Sequence, residues 1–480
     1  MLGPLVSRSA AEEPQQTARR LTARYAEQLE ELAVWCEGQG LTAEAEKTRL
    51  LVRPTDPNKL YVTVLPQESG HATPADDAPA ELVEWDRRLF RLRREQADTL
   101  FGLSQRAIRL GRISLAFDLV LAAIRQNPDH EAIRRLLGYQ KYRDRWHTPY
   151  EIARMRAGYV WHEKYGWLLE AHVGQYESGQ RYAQGRWITA EEDAQLHREL
   201  RNGWRVETEH YTVHTNHSLE AGVALGTKLE TLYRVWRRLF VRYFASEAQV
   251  RAMFAGEAGR MKSLRHEVVY FRDREEYVRS LKPVFENIEI SLGVYVDHSF
   301  LGGAGNKGKA YFFAGEESDE RTLLHEATHQ LFHESRPVPP GVGRQANFCI
   351  IEGIAMYMES LSREGDYYVL GGFDDPRMKA AEYRLLEDDF YVPLSEFTTY
   401  GMDRVQADPR IATLYSQAAG ITHFLIHHDG GRYRDALVAY LATVYSGRDD
   451  PNTLSRLTLT PYGQLDREYR QFMESSRANR

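Results

Sequence analysis

The sequence predicts an α+β protein, with a mainly α-helical N-terminal region followed by a domain in which strands precede a helical lobe. Three observations carry this reading. Apolar residues recur at helical spacing through most of residues 17–138. Runs rich in strand formers are concentrated between residues 205 and 313. From Thr322 onward the pattern returns to helix and stays there.

At 480 residues the chain has room for two or three domains. Its 42% hydrophobic and 27% charged residues are those of an ordinary globular protein with ample core material. The formal net charge of -6 provides no global basic field, so neither nucleic acid nor anionic lipid is expected as a partner. Cys36 and Cys349 are too few and too far apart for a CxxC metal cluster or a disulfide framework. No apolar run approaches the length of a membrane span. The segment Met1 to Arg8 lacks the basic and apolar regions of a secretion signal. The compartment stays open on this evidence: cytoplasmic as the sequence stands, exported if translation starts upstream.

Residues 1–16 are polar and aperiodic and read as disordered. Two helices are expected from about Gln16 to Arg53, broken at Gly38-Gln39-Gly40. Residues 54–80 read as a linker with one strand-like run, Leu60 to Leu65. A second helical block runs from Glu81 to Gly138. In it Leu103, Gly111, Ala116, Ala123 and Pro128 fall at tetratricopeptide spacing, and a plain helical hairpin fits equally well. Either way, this region is a candidate surface for a protein partner.

Residues 139–204 form a connector with an internal repeat. Arg145-Trp146-His147-Thr148 recurs as Arg186-Trp187-Ile188-Thr189, 41 positions on. Each Thr can cap a helix with Glu three residues later. The tryptophans fit a structural turn better than a stacking platform for sugar or peptide.

The domain expected at 205–480 opens with the alternating run His210 to Thr215 and a long helix, Leu219 to Tyr243. Val268 to Phe271 reads as a strand, and Asp273 caps a helix reaching Leu281. Gly293 to Val296 and Ala310 to Phe313 are two further strands, the latter expected at the sheet edge.

Then comes His325-Glu326-Ala327-Thr328-His329, an H-E-x-x-H sequence on a helix with Ser318 expected as N-cap. The i, i+4 spacing puts both imidazoles on one face, within reach of one ion. Glu326 projects beside them, where a carboxylate can take a proton from water. A match this short also arises by chance on a solvated helix face. A second feature strengthens it. The apolar helical run Phe348 to Met358 contains Glu352, 23 positions after His329, and a lone carboxylate in such a run is costly unless a cation or an arginine meets it. Gly353 and Ala355 keep that helix slim enough to pack closely on the motif helix. The Pro- and Gly-rich stretch Pro337 to Gly343 forces the loop between the two.

H-E-x-x-H followed by Glu352-Gly353-Ile354-Ala355 resembles the gluzincin metallopeptidases, over roughly residues 205–480. More particularly, the chain resembles a bacterial gluzincin group with helical N-terminal regions. The resemblance implies a mixed sheet ahead of the motif helix and Zn2+ bound by His325, His329 and Glu352. It also implies Glu326 as general base and a peptide or protein as substrate. It further implies a Tyr or His from a later helix that donates to the oxyanion. Tyr415, 63 positions after Glu352, is the first choice and His423 the second, and a core aromatic role fits Tyr415 as well. Glu359 either orients a ligand imidazole from behind or is a surface or ion-pair residue. The aminopeptidase-type G-x-M-E-N sequence is absent, which argues against exopeptidase specificity.

The remaining signals are weaker. Gly303 to Gly308 fits G-x-G-x-x-G, but a strand follows it instead of a helix, so it reads as a loop over the cleft. His427-His428-Asp429-Gly430-Gly431 reads as a helix end. Two functions are therefore expected to compete. One is a zinc-dependent peptidase; the other is a non-catalytic binding module that recruits partners through its helical N-terminal region.

Overall fold

A computed structural model describes residues 8–52, 54, 56–66, 73–257, 264–297 and 307–478. It is a mixed α and β structure built as two compact units.

The first unit comprises residues 1–149, 245–259 and 363–368. Its first helix is Arg8–Gly38. The expectation of disorder to residue 16 is therefore corrected from Arg8 onward, while residues 1–7 lie outside the described residues. Ala10, Ala11, Glu12 and Glu13 are strong helix formers and extend the helix despite Pro14, which removes one backbone donor. The helix stops at Gly38, and Thr42–Arg49 follows as the next one. The strand Lys59–Thr63 lies in the expected linker. Helices Ala80–Arg109 and Ile113–Gln126 pack as a hairpin that buries Leu103, Ala116 and Ala123. Gly111 turns the chain between them at φ +74.

The second unit comprises residues 150–244, 260–362 and 369–480. The boundaries expected at 138 and 204 differ from this division. Local pattern reveals an element but not the body it packs in.

The connector holds three hairpin-plus-helix modules in succession, where the sequence comparison found two. The hairpins are Gln140–Tyr142 with Arg145–His147, Tyr159–His162 with Gly166–Leu169, and Gln180–Ala183 with Arg186–Thr189. Each opens after a glycine at positive φ, namely Gly138, Gly158 and Gly179. The middle copy was hidden because Leu169 stands where the other copies have Thr148 and Thr189. In the third copy Thr189 and Glu192 form the expected capping box.

The unit's sheet contains β1 (Trp204–Glu207), β2 (Tyr211–Thr215), β3 (His266–Phe271), β4 (Val294–Val296) and β5 (Lys309–Phe313). Their order is β4-β5-β3-β2-β1. The three central strands are parallel, and β1 and β4 are antiparallel edges. The expectation that Ala310 to Phe313 forms the sheet edge is thus corrected: β4 covers it. Gly293 permits this approach, since a Cβ there would sit 2.8 Å from the Phe312 ring. Helix α1 (Leu219–Leu239) packs on β1 and β2 through Gly222 and Gly226, and it ends at Phe240, ahead of the expected Tyr243. Asp273 caps α2 (Arg274–Leu281) as expected.

Helix α3 (Glu320–Glu334) packs against α1, β4 and β5. Its N-cap is Asp319, which accepts from the Arg321 and Thr322 amides, and not Ser318, whose hydroxyl donates to the Gly315 carbonyl. A carboxylate offers two acceptors and suits the positive helix end. Next come α4 (Phe348–Met358), α5 (Pro376–Leu386) and α6 (Ile411–Gly431). The strands Ser362–Glu364 and Tyr367–Gly371 interrupt this lobe, which corrects the expectation of helix throughout.

Candidate metal centre

Helix α3 projects His325 and His329 from one face, and α4 brings Glu352 against them. The ligand atoms of all three lie within 4.8 Å of one another. The two Nε2 atoms face each other at 3.1 Å. Glu352 places Oε2 at 3.4 Å from His325 Nε2 and Oε1 at 3.6 Å from His329 Nε2. All three side chains are largely buried, with 14%, 16% and 12% exposure. Two imidazole nitrogens this close need a proton or a cation between them, because two lone pairs repel. The donor set of two imidazoles and one carboxylate therefore fits a divalent metal ion.

The placement of Glu352 depends on how α4 is held. Gly353 meets α6: a Cβ there would stand 2.1 Å from Thr422 Oγ1 and 2.7 Å from the Ala418 carbonyl oxygen. The expectation that Gly353 serves packing on the motif helix is corrected, since it is α6 that requires the glycine. At its start, buried Asn347 adopts the left-handed conformation at φ 57, which asparagine tolerates. Its amide donates to the Thr398 carbonyl and its side chain accepts from the Tyr440 hydroxyl.

Behind the ligands stands Glu359, whose side chain is 2% exposed. One oxygen lies 2.8 Å from His325 Nδ1. A carboxylate there fixes the proton on Nδ1 and frees the Nε2 lone pair for a ligand role. Arg377 donates to Glu359 through Nε and Nη2 at 2.9 and 3.0 Å, and Arg321 joins it to Asp375. Both the ligand-orienting and the ion-pair reading of Glu359 are met: its buried carboxylate stands behind His325 and also pairs with Arg377 and Arg321.

Glu326 lies beside the ligands, with Oε2 accepting from the Tyr295 amide of β4 at 2.8 Å. Burial raises its pKa to about 7, against the pull of His325 and the Tyr295 amide. Burial lowers His329 to about 4. It also disfavours a charged His325, but hydrogen bonds to Glu352 and Glu359 outweigh it and hold that ring raised, at about 10. Burial opposes ionisation of Glu352 too, yet the two histidines and the Tyr415 hydroxyl keep its pKa below the usual carboxylate range.

Tyr415 on α6 is thus brought to the site, beside Glu352, whose charge adds to burial in raising the pKa of its hydroxyl. His423, two turns further along, is not. It is 1% exposed and packs among Phe373, His427 and Phe472. Sequence reasoning missed Tyr295, Arg321, Arg377 and Asp375, which carry no local signal. It also missed His333, whose Nδ1 lies 3.3 Å from the Tyr295 hydroxyl, although the four-residue stripe His325, His329, His333 was visible. Most of the Gly303 to Gly308 loop lies outside the described residues.

His428, Asp429 and Gly430 leave helical geometry, as the expected helix end requires. Among the described residues no helix is long and apolar enough to cross a membrane. No family model, curated protein or solved structure matches the chain.

Proposed function

We propose that the chain is a zinc-dependent peptidase of the gluzincin type. The observation that carries this reading is the convergence of His325, His329 and Glu352 with a carboxylate, Glu326, held beside them. Two imidazoles and one carboxylate are a common protein set for catalytic zinc, and they leave a coordination position for substrate or water. When bound, zinc supplies Lewis acidity toward a peptide carbonyl and toward water.

Each side chain then has a defined task. Glu359 holds the His325 Nδ1 proton, so that Nε2 points to the ligand position. The Tyr295 amide holds Glu326 Oε2. Oε1 is left to take a proton from the attacking water and to return it to the leaving amine. The Tyr415 hydroxyl, beside Glu352, can donate to the oxygen that gains charge.

The test is metal content and peptide-library cleavage on the same sample, for wild type and Glu326→Gln. The expected result is about one zinc per chain in both. Cleavage by wild type should exceed that of Glu326→Gln by roughly 100-fold or more. Zinc in both proteins with no cleavage of any library member would instead support the non-catalytic binding module.

A further inference from the structure

The last turn of α3 carries a buried pair, His266 with Glu334, that supplies neither a metal ligand nor the base. We propose that this pair is a pin that fixes the β4 edge against α3 and so positions Glu326. His266 and Glu334 are positioning residues that act through Gly308 and Tyr295. The base role of Glu326 rests on the peptidase reading, whereas the pin itself is read without any cleavage.

The first observation is the pin. His266 is the first residue of β3 and Glu334 the last of α3. Both side chains are 1% exposed, and His266 Nδ1 lies 2.7 Å from Glu334 Oε2. Glu334 Oε1 accepts from the Gly308 amide at 3.0 Å and from Gln330 Nε2 at 3.1 Å. Gln330 Nε2 also donates to the Glu267 carbonyl at 2.9 Å. One carboxylate thus ties the end of α3 to the start of β3 and to the residue that precedes β5. A buried polar pair adds little net stability over apolar side chains of the same volume. What it supplies is registry, because its hydrogen bonds are all met in one alignment of helix and strands.

The second observation carries that registry to Glu326. A Cβ at Gly308 would stand 2.2 Å from the Val296 carbonyl oxygen and 2.7 Å from the Tyr295 hydroxyl. The Tyr295 side chain therefore lies directly on the Gly308 backbone. Its hydroxyl oxygen is 3.3 Å from His333 Nδ1 of α3. The amide of the same residue donates to Glu326 Oε2 at 2.8 Å. Tyr295 stands opposite Ala310 in the antiparallel ladder, with its amide turned out of that ladder to α3. A slip of β4 by about 1 Å would carry this contact beyond hydrogen-bond range and release Glu326.

The experiment follows hydrogen exchange in the full-length protein by mass spectrometry with residue-level fragmentation. The Tyr295 amide reports the Glu326 contact, and the Gly308 amide reports the pin. In wild type the two should show equal protection and equal denaturant dependence, because one opening frees both. In the His266→Phe, Glu334→Leu double variant, Tyr295 should exchange about tenfold faster or more, approaching the rate set by Glu326→Ala, which removes the acceptor. Glu334→Gln keeps an acceptor for the Gly308 amide and should hold Tyr295 near its wild-type rate. The denaturation midpoint should fall less in the double variant than in Glu334→Leu alone, which leaves His266 unpaired. Where wild type cleaves a library peptide, the double variant should lose about tenfold or more in kcat with KM unchanged. Absence of cleavage in wild type would count against the peptidase reading and leave the exchange result standing. The pin is overturned if Tyr295 stays as protected in the double variant as in wild type. It is also overturned if exchange rises equally across β2, β3 and β5, the mark of a purely structural pair. Unequal protection of Tyr295 and Gly308 in wild type overturns it as well, and that measurement requires no variant to fold.

Discussion

His325 and His329 on α3, and His423 and His427 on α6, are both i, i+4 pairs in the second unit. Their rings are similarly close, with centroids 4.7 and 4.3 Å apart. Their surroundings differ. The first pair faces Glu352, and Glu359 sits behind it. The second lies among Tyr357, Phe373 and Phe472, with the Tyr357 hydroxyl 3.0 Å from His427 Nε2. Burial alone lowers His423 to about 3, and its Nε2 meets no hydrogen-bond partner among the described residues. Helical spacing brings two imidazoles together in both places. Carboxylates are what make one pair a candidate cation site, and their absence around His423 among the described residues leaves that ring a neutral core residue.

The largest expected effect tests this contrast directly. His329→Ala should reduce zinc from about one per chain to none, while His423→Phe should leave it unchanged. Metal analysis on folded protein reads both, and zinc lost from the His423 variant would break the comparison. Next in size, Glu359→Gln should weaken zinc retention about 10–100-fold, measured by competition with a chelator. An unaffected variant would return Glu359 to a purely structural ion network.

The second pair should reveal itself through pH. The folded-state pKa of His423 is depressed, so the unfolded chain binds a proton first as pH falls below about 6.5. The related stability is fully present above that value and is lost as pH falls toward about 3. The slope is about 1.4 kcal/mol per pH unit at most. Thermal midpoints of His423→Phe should therefore fall less steeply over that window than those of wild type. Parallel profiles would show that this ring does not sense acid.

The smallest effect lies where the two regions meet. Gly353→Ala presses a methyl group on Thr422 and the Ala418 carbonyl, beside His423 and one residue from Glu352. Overpacking of this kind costs about 1–3 kcal/mol. Chemical denaturation should show that loss, together with weaker zinc retention. Loss of stability alone would mean that α6 yields and Glu352 stays in place.

Much of this was legible in the sequence wherever one element supplies the information. The i, i+4 spacing of His325 and His329 follows from helix geometry, and Glu352 stood out as a carboxylate in an apolar run. Strand runs near 211, 268, 294 and 310 became strands. Less legible was anything requiring two distant segments. Tyr415 was preferred to His423 among the later helix residues, but only the structure puts Tyr415 beside Glu352 and His423, two turns on, in an aromatic core. Gly353 was expected to face α3, and it faces α6.

The sequence by itself determined the candidate ligands, because a helical repeat places residues four apart on one face whatever surrounds them. It also determined the alternation of strand and helix before Glu320, through side-chain periodicity. Only the tertiary structure decided the sheet order that puts β4 at the edge, with its Tyr295 amide on Glu326. It alone decided that Glu359, Arg321 and Arg377 stand behind His325. The physical reason is that these contacts join segments tens of residues apart, and burial and charge pairing select them after the local elements have formed.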